Sequence, residues 1–182
     1  MKYYIGDLHF GHKNVIKHDG RPFETVEEMD DTLIKYWNSI VTNTDDVYIA
    51  GDFAYRNNQI GRDASWYLRQ LRGKKHLIIG NHDNKLVNDK DACRYLESIE
   101  HMTYVKDNGR DVYICHYPMA EWNGFFRGSY HVYGHVHNNL NESYYFLKKY
   151  ERALNAGCMI NNFIPVTLDQ LIINNQNFKL AN

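Results

Sequence analysis

Residues 2–9 read Lys2-Tyr3-Tyr4-Ile5-Gly6-Asp7-Leu8-His9, an aromatic and β-branched run that stops abruptly at a carboxylate and an imidazole. Such a run has the composition of a buried strand, and the glycine that follows ends it. The arrangement then recurs along the chain. Val47-Tyr48-Ile49-Ala50 stops at Gly51-Asp52, and His76-Leu77-Ile78-Ile79 stops at Gly80-Asn81-His82-Asp83. Asp111 to Cys115 stops at His116, and Tyr130 to Tyr133 stops at Gly134-His135-Val136-His137. Five apolar strands thus end in polar tips.

Helical stretches separate the first three strands. Thr25 and Glu28 form a capping-box pair ahead of Val26, Met29, Leu33, Trp37 and Ile40, whose three- and four-residue spacing predicts a helix with one apolar face. Ile60, Ala64, Leu68 and Leu71 predict a second, closed by Gly73. Strands alternating with helices favour parallel pairing through right-handed crossovers, and ligands then collect beyond the carboxyl ends of the strands. Further on, Asn108-Gly109 between Met102–Val105 and Asp111–Cys115 is a hairpin signal, so pairing there turns antiparallel. Ala153-Leu154-Asn155 and Val166-Thr167-Leu168 are expected as later strands, and the Asn-rich end from Asn174 to Asn182 is expected to fray. The fold class is α/β, in one domain over residues 1–182.

Composition narrows the function. The 182 residues carry 21 Lys and Arg against 22 Asp and Glu, a formal charge of -1, so no broad attraction to nucleic acid or an anionic membrane is expected. No apolar run approaches the roughly 18 residues that a membrane helix needs. Cys93, Cys115 and Cys158 are widely spaced and form no C-x-x-C pair, which reads as reduced thiols in a cytoplasmic protein. Against this neutral background stand 10 His.

The strand tips supply Asp7, His9, Asp52, Asn81, His82, His116, His135 and His137. Taken singly, each has an ordinary reading: a turn for Asp7-x-His9 or Gly80-Asn81, a satisfied core histidine for His116, a solvated edge for His135-x-His137. Taken together, in order and each behind its own strand, they form a donor set of carboxylate, amide and imidazole without thiolate. That set suits Mn, Fe, Zn or Ni in an open hydrolytic site better than a closed structural zinc site. The two-residue spacing of Asp7/His9 and of His135/His137 puts each pair on one face of an extended segment. The donors exceed what one ion needs, whereas two ions sharing a carboxylate would use seven of them.

Asp7-x-His9, Gly51-Asp52, Gly80-Asn81-His82-Asp83, His116 and Gly134-His135-x-His137 resemble the ordered motif set of the calcineurin-like metallophosphoesterases, over residues 5–137. His9-Phe10-Gly11-His12-x-Asn14-x-Ile16 and His116-Tyr117-Pro118-Met119 are similar to a compact branch found in bacteria and their phages. The resemblance implies a four-layer αββα sandwich of two mixed β-sheets flanked by helices. It also implies two divalent ions: Asp7, His9 and His137 on the first, Asn81, His116 and His135 on the second, Asp52 bridging, with a hydroxide between them attacking phosphorus. His82, beside a ligand but not itself one, would be the general acid, so that His82 and Asp52 are the catalytic residues. One departure stands out. Where the phosphoprotein phosphatase branch has a second Asp after Gly-Asp, this chain has Tyr55, so the carboxylate partner of the general acid is missing, although Arg56 matches the family's Arg.

Weaker candidates for substrate contact are His12, Asn14, Arg21 and Arg56. The aromatics of the loop after His116 read either as a stacking surface or as packing under a long loop. The expected substrate is a small phosphate ester, with nucleotides and cyclic phosphodiesters among the candidates. The alternatives are a nuclease, which the balanced charge disfavours, and a metal-binding module without turnover, against which His82 speaks.

Overall fold

The computed structural model describes residues 1–55 and 60–182. One four-stranded sheet has the order β1 (Lys2–Ile5), β2 (Asp46–Ile49), β3 (Lys74–Ile78), β4 (Ser98–Glu100). All its strand pairs are parallel, with Tyr3 opposite Val47 and Tyr48 opposite His76. The crossovers carry α1 (Lys13–Asp19), α2 (Val26–Ile40), α3 (Ala64–Gln70), α4 (Asn84–Val87) and α5 (Lys90–Cys93). The second sheet has the order β5 (Met102–Asp107), β6 (Arg110–Cys115), β7 (Tyr130–Tyr133), β8 (Ala153–Asn155). Here the mixed character resides: the β5–β6 hairpin turns at Asn108-Gly109, whereas β6–β7 and β7–β8 are parallel. Asn108 and Gly109 both have positive φ, 49° and 81°, the backbone that a tight hairpin requires.

Strand alternation sorts the side chains into layers. Tyr3, Ile5, Val47, Ile49 and Leu77 face outward, against Met29, Leu33 and Trp37 of α2 and Tyr67 and Leu68 of α3. Tyr4, Tyr48 and Ile78 face the other way and meet Ile114, Val132 and Leu154, forming the core between the sheets. On the far side of the second sheet Tyr133 and Ala153 pack against Trp122 and against Leu147 of α6 (Glu142–Leu147). Four layers result, as the family resemblance implies. Truncating a fully buried member such as Leu33 would cost about 2–5 kcal/mol.

Three details differ from the sequence reading. The predicted strand at Val166–Leu168 is reduced to one antiparallel bridge, Tyr4 to Val166. Thr167 is instead the N-cap of α7 (Leu168–Ala181), in a full capping box with Gln170. The Asn-rich end accordingly does not fray: it is helical to Ala181, tied down by Lys179 Nζ donating to the carbonyls of Tyr150 and Ala153 and by Asn175 Oδ1 accepting the Asn155 N–H. At Thr25 the box is only half formed. The Thr25 hydroxyl accepts the Glu28 N–H, but the Glu28 carboxylate takes the N–H of Glu24.

Candidate metal centre

Parallel pairing places the carboxyl ends of β1, β2 and β3 side by side, and packing of the second sheet brings the ends of β6 and β7 over them. Backbone bonds lock the junction: Asp7 N–H to Gly51 O at 3.0 Å, Gly6 N–H to Ala156 O at 2.7 Å, and Gly134 N–H to His116 O at 3.0 Å. At the tips the chain turns through left-handed conformations. Asp7, His9, Asp52, His135 and His137 all have φ between 51° and 72°. Each such non-glycine residue costs on the order of 1 kcal/mol or more, and its concentration at one place marks a site for which strain is tolerated. Glycines permit the close approach. A Cβ on Gly51 would run into the His116 ring, and one on Gly80 into the Asp52 carboxylate.

The side chains form two groups. In one, Asp7, His9, Asp52 and His137 each bring a ligand atom within 4.8 Å of all the others. His9 Nε2 and His137 Nε2 face each other at 3.1 Å, and Asp7 Oδ1 lies 4.0 Å from His137 Nε2. In the other, Asn81 Oδ1 is 3.0 Å from His116 Nε2 and 2.9 Å from His135 Nδ1. Asp52 joins them: its Oδ2 is 3.6 Å from His9 Nε2 and 3.6 Å from His116 Nε2.

The first group fits a cation. Asp7 Oδ2 is buried with no hydrogen-bond partner, and an orphaned buried acceptor costs about 1–3 kcal/mol unless something positive meets it. Burial raises the Asp7 carboxyl and drives His9 well below its ordinary value. Tautomers are set from behind. His116 Nδ1 lies 2.8 Å from Ala50 O and His137 Nδ1 2.8 Å from Asp19 Oδ1, so each ring donates backward and turns an Nε2 lone pair to the centre. Burial works to lower the His137 imidazole, but the hydrogen bond and charge of Asp19 outweigh it and the net shift is upward.

These groups open on a cleft of about 390 Å³, lined also by His12, Val15, His18, Asp19, His82 and Asn139. His82 stands half-buried on its wall, its backbone N–H donating to Asp52 Oδ1 at 2.9 Å and its ring 5.2 Å from that of His9. Asp83 gives it no support. That carboxylate is fully buried and accepts the N–H groups of Gly80, Asp52 and Phe53, so it fastens the β2 and β3 tips together. His12 lines the cleft, and burial lowers it to about 4.

Two of the substrate-contact candidates lie apart from the cleft lining. Arg21 is buried and faces away from the cleft: it donates to the carbonyls of Leu8 and Asp7, both at 2.9 Å, and pairs with Asp19 at 2.8 Å. Its role is to hold the β1 tip. Asn14 is exposed on α1 and is not among the residues lining the cleft. Arg56 lies outside the described residues.

Sequence reasoning missed Asp19, which no motif marks. It also missed the part played by Asn155, whose amide donates to His137 O at 2.7 Å and whose Oδ1 accepts the Gly157 N–H.

The family model of the calcineurin-like phosphoesterases matches residues 3–154. The chain belongs to that family. It is 34% identical over 170 residues to an uncharacterized protein of Methanocaldococcus jannaschii, MJ1445, covering 93% of this chain and 88% of that one. It is 29% identical to the Gene 66 protein of Mycobacterium phage L5 over 160 residues, 75% of this chain and 77% of that one, which fits the compact phage-type branch. Among solved structures, the Aquifex aeolicus protein of unknown function AQ665 superposes with a TM-score of 0.70 at 25% identity, over 91% of this chain and 94% of that one. Family membership and the Asp/His cluster together fit a metal-dependent phosphoesterase. Among the described residues no helix is long and apolar enough to cross a membrane.

Proposed function

We propose that this chain hydrolyses small phosphate esters with two divalent ions, one held by Asp7, His9 and His137, the other by Asn81, His116 and His135, with Asp52 shared. The observation that carries this reading is the position of Asp52 Oδ2, equally 3.6 Å from a ring nitrogen of each group. Mn, Fe, Zn and Ni all accept these donors. When bound, such ions supply water ionised near neutral pH as the nucleophile and positive charge beside the phosphoryl oxygens. The chain's own part is to fix the donors and to handle the departing proton. As the P–O bond to the leaving group breaks, His82 gives that oxygen a proton; the ring stands in the cleft and its backbone is anchored to Asp52. A cleft of about 390 Å³ and a formal charge of -1 favour a small ester over a long polyanion. Free thiols at Cys93, Cys115 and Cys158 support action in the cytoplasm.

The test is turnover of a chromogenic phosphomonoester and phosphodiester with Mn, before and after Asp52→Asn. We expect metal-dependent hydrolysis that the substitution lowers by roughly 10³-fold, the several kcal/mol that metal activation provides. Mn binding with hydrolysis of neither ester would overturn the proposal in favour of a binding module. Preferential cleavage of single-stranded DNA or RNA would replace the small ester with a nucleic acid.

A further inference from the structure

Tyr55, standing where other branches carry a carboxylate, does not reach the general acid as a partner: its ring centroid is 6.3 Å from that of His82. It lies instead flat against His12, at 3.9 Å between centroids and 5° between planes. That stack fixes the plane of an imidazole that lines the same cleft as the donor groups, 5.5 Å from the His9 ring and 6.3 Å from the His82 ring. The backbone beneath is fixed too, because the Gly11 N–H is held by both oxygens of Asp30 at 3.1 Å. A side chain so constrained, with no hydrogen bond to another described side chain, is preorganised for something else.

The tautomer follows from burial. His12 Nδ1 is buried and has no hydrogen-bond partner. A neutral imidazole has one N–H, and placing it on Nδ1 would bury an unpaired donor, which folded proteins avoid. The proton therefore sits on Nε2, the nitrogen left on the open side of the ring. Resting on the metal-dependent reading above, we propose that His12 binds a non-bridging phosphoryl oxygen of the substrate through a neutral Nε2–H, with Tyr55 as its positioning residue. His82 and His12 then divide the work: the first releases its proton to the leaving oxygen, and the second keeps its proton and holds the phosphoryl group. The 6.3 Å between their rings lets each reach a different oxygen of one phosphoryl group.

The experiment uses the Mn-loaded full chain, with inorganic phosphate as probe in calorimetry and the chromogenic esters in kinetics. His12→Phe keeps a ring to stack on Tyr55 and removes the N–H. We expect unchanged ion content and melting temperature, with phosphate bound roughly 10- to 100-fold more weakly, as for loss of a hydrogen bond to a charged group. His12→Gln, which restores an amide N–H near the Nε2 position, should recover part of the loss. Tyr55→Ala should weaken phosphate binding by a smaller factor and raise KM more than it lowers kcat, and Tyr55→Phe, which keeps the stacking face, should recover it. Wild-type phosphate affinity in His12→Phe would overturn the proposal, as would a fall in its ion content, which would make His12 a support of the metal centre. Phosphate binding that is weakened by His12→Phe in a wild type that hydrolyses neither ester would overturn turnover while supporting the assignment of His12.

Discussion

Beneath β1, Asp7, His9 and Asp52 are 1%, 2% and 2% exposed, and the group holds two carboxylates. On the other side of Asp52, Asn81 and His135 are exposed, and Asn81, His116 and His135 bring no charge of their own. The two groups differ again behind the donors. His137 leans on Asp19, which is itself paired with Arg21, whereas among the described residues the hydrogen-bond partner of the His135 ring is Asn81, a member of its own donor group. A cation is attracted far more strongly by buried carboxylates than by solvated neutral donors. The proposed pair of sites would therefore be unequal: Asp7 adds a buried carboxylate to the shared Asp52 on one side only, so an ion there would be held more tightly than one beside the exposed Asn81 and His135. Geometry that looks two-fold in the motif order is asymmetric in its electrostatics.

His82 belongs to neither group, which gives the comparison its sharpest test. His82→Ala should lower kcat about 10²- to 10⁴-fold on an ester with a poor leaving group, the usual range for loss of a general acid. An ester with a good leaving group should be nearly insensitive, and the ion content should not change. Atomic absorption on the purified variant checks the second point. A fall in bound metal would place His82 among the donors and end the separation of ion-holding from proton transfer.

The donors were readable because each is fused to its strand: a buried apolar run followed at once by a polar tip carries both the topology and the chemistry in a few consecutive residues. Legibility failed where the information is not local. Asp19 meets His137 across 118 residues of sequence, and nothing in the sequence around it marks the contact. Arg21, beside Pro22 and Phe23, reads equally as a loop cation over the site and as part of a helix-entry staple; in the fold its guanidinium is drawn inward by two carbonyls and Asp19. Strand β4 is three residues long with Glu100 in it, too short for a periodicity to declare itself. The final helix was hidden by its asparagines, which favour turns over helix interiors, although Thr167 and Gln170 already spelled its capping box. Its buried Asn175 bonds Asn155, so the residues that obscure the helix are the ones that tie it to the site.

Removing the asymmetry from behind should have a smaller effect than removing the acid. Asp19 accepts from His137 Nδ1 and from Nε and Nη2 of Arg21 at 3.0 and 2.8 Å. Asp19→Asn weakens the hold on the His137 tautomer and leaves Arg21 without its counter-charge. The expected result is a 10- to 100-fold loss of affinity in the tighter of two Mn-binding phases, the usual scale for a partner that orients a metal-binding histidine. Titration calorimetry resolves the phases. A shift confined to the weaker phase would reverse the assignment of the buried group as the stronger site.

The smallest effect concerns the turn after His9. Asp30 is fully buried and accepts both the Gly11 N–H and the Tyr67 hydroxyl, the latter at 2.6 Å. Burial outweighs those donors and raises its carboxyl from 3.8 to about 6. Between these values the folded protein keeps a proton that the unfolded chain has released, so this group's contribution to stability falls as the pH rises from 3.8 to about 6 and is flat above. Asp30→Asn cannot ionise. Other carboxylates titrate in both proteins alike, so the quantity to follow is the difference in unfolding free energy between wild type and variant, from urea melts at several pH values. At the acid end the variant should be the less stable, because its amide buries two N–H donors where the protonated carboxyl has one O–H. With rising pH the gap should narrow by up to about 3 kcal/mol. A gap that instead widens would mean that the Gly11 and Tyr67 donors stabilise the ionised carboxylate by more than burial penalises it. The turn beneath the buried group would then be held by a charge, and the electrostatic contrast with the exposed group would extend below the metal centre.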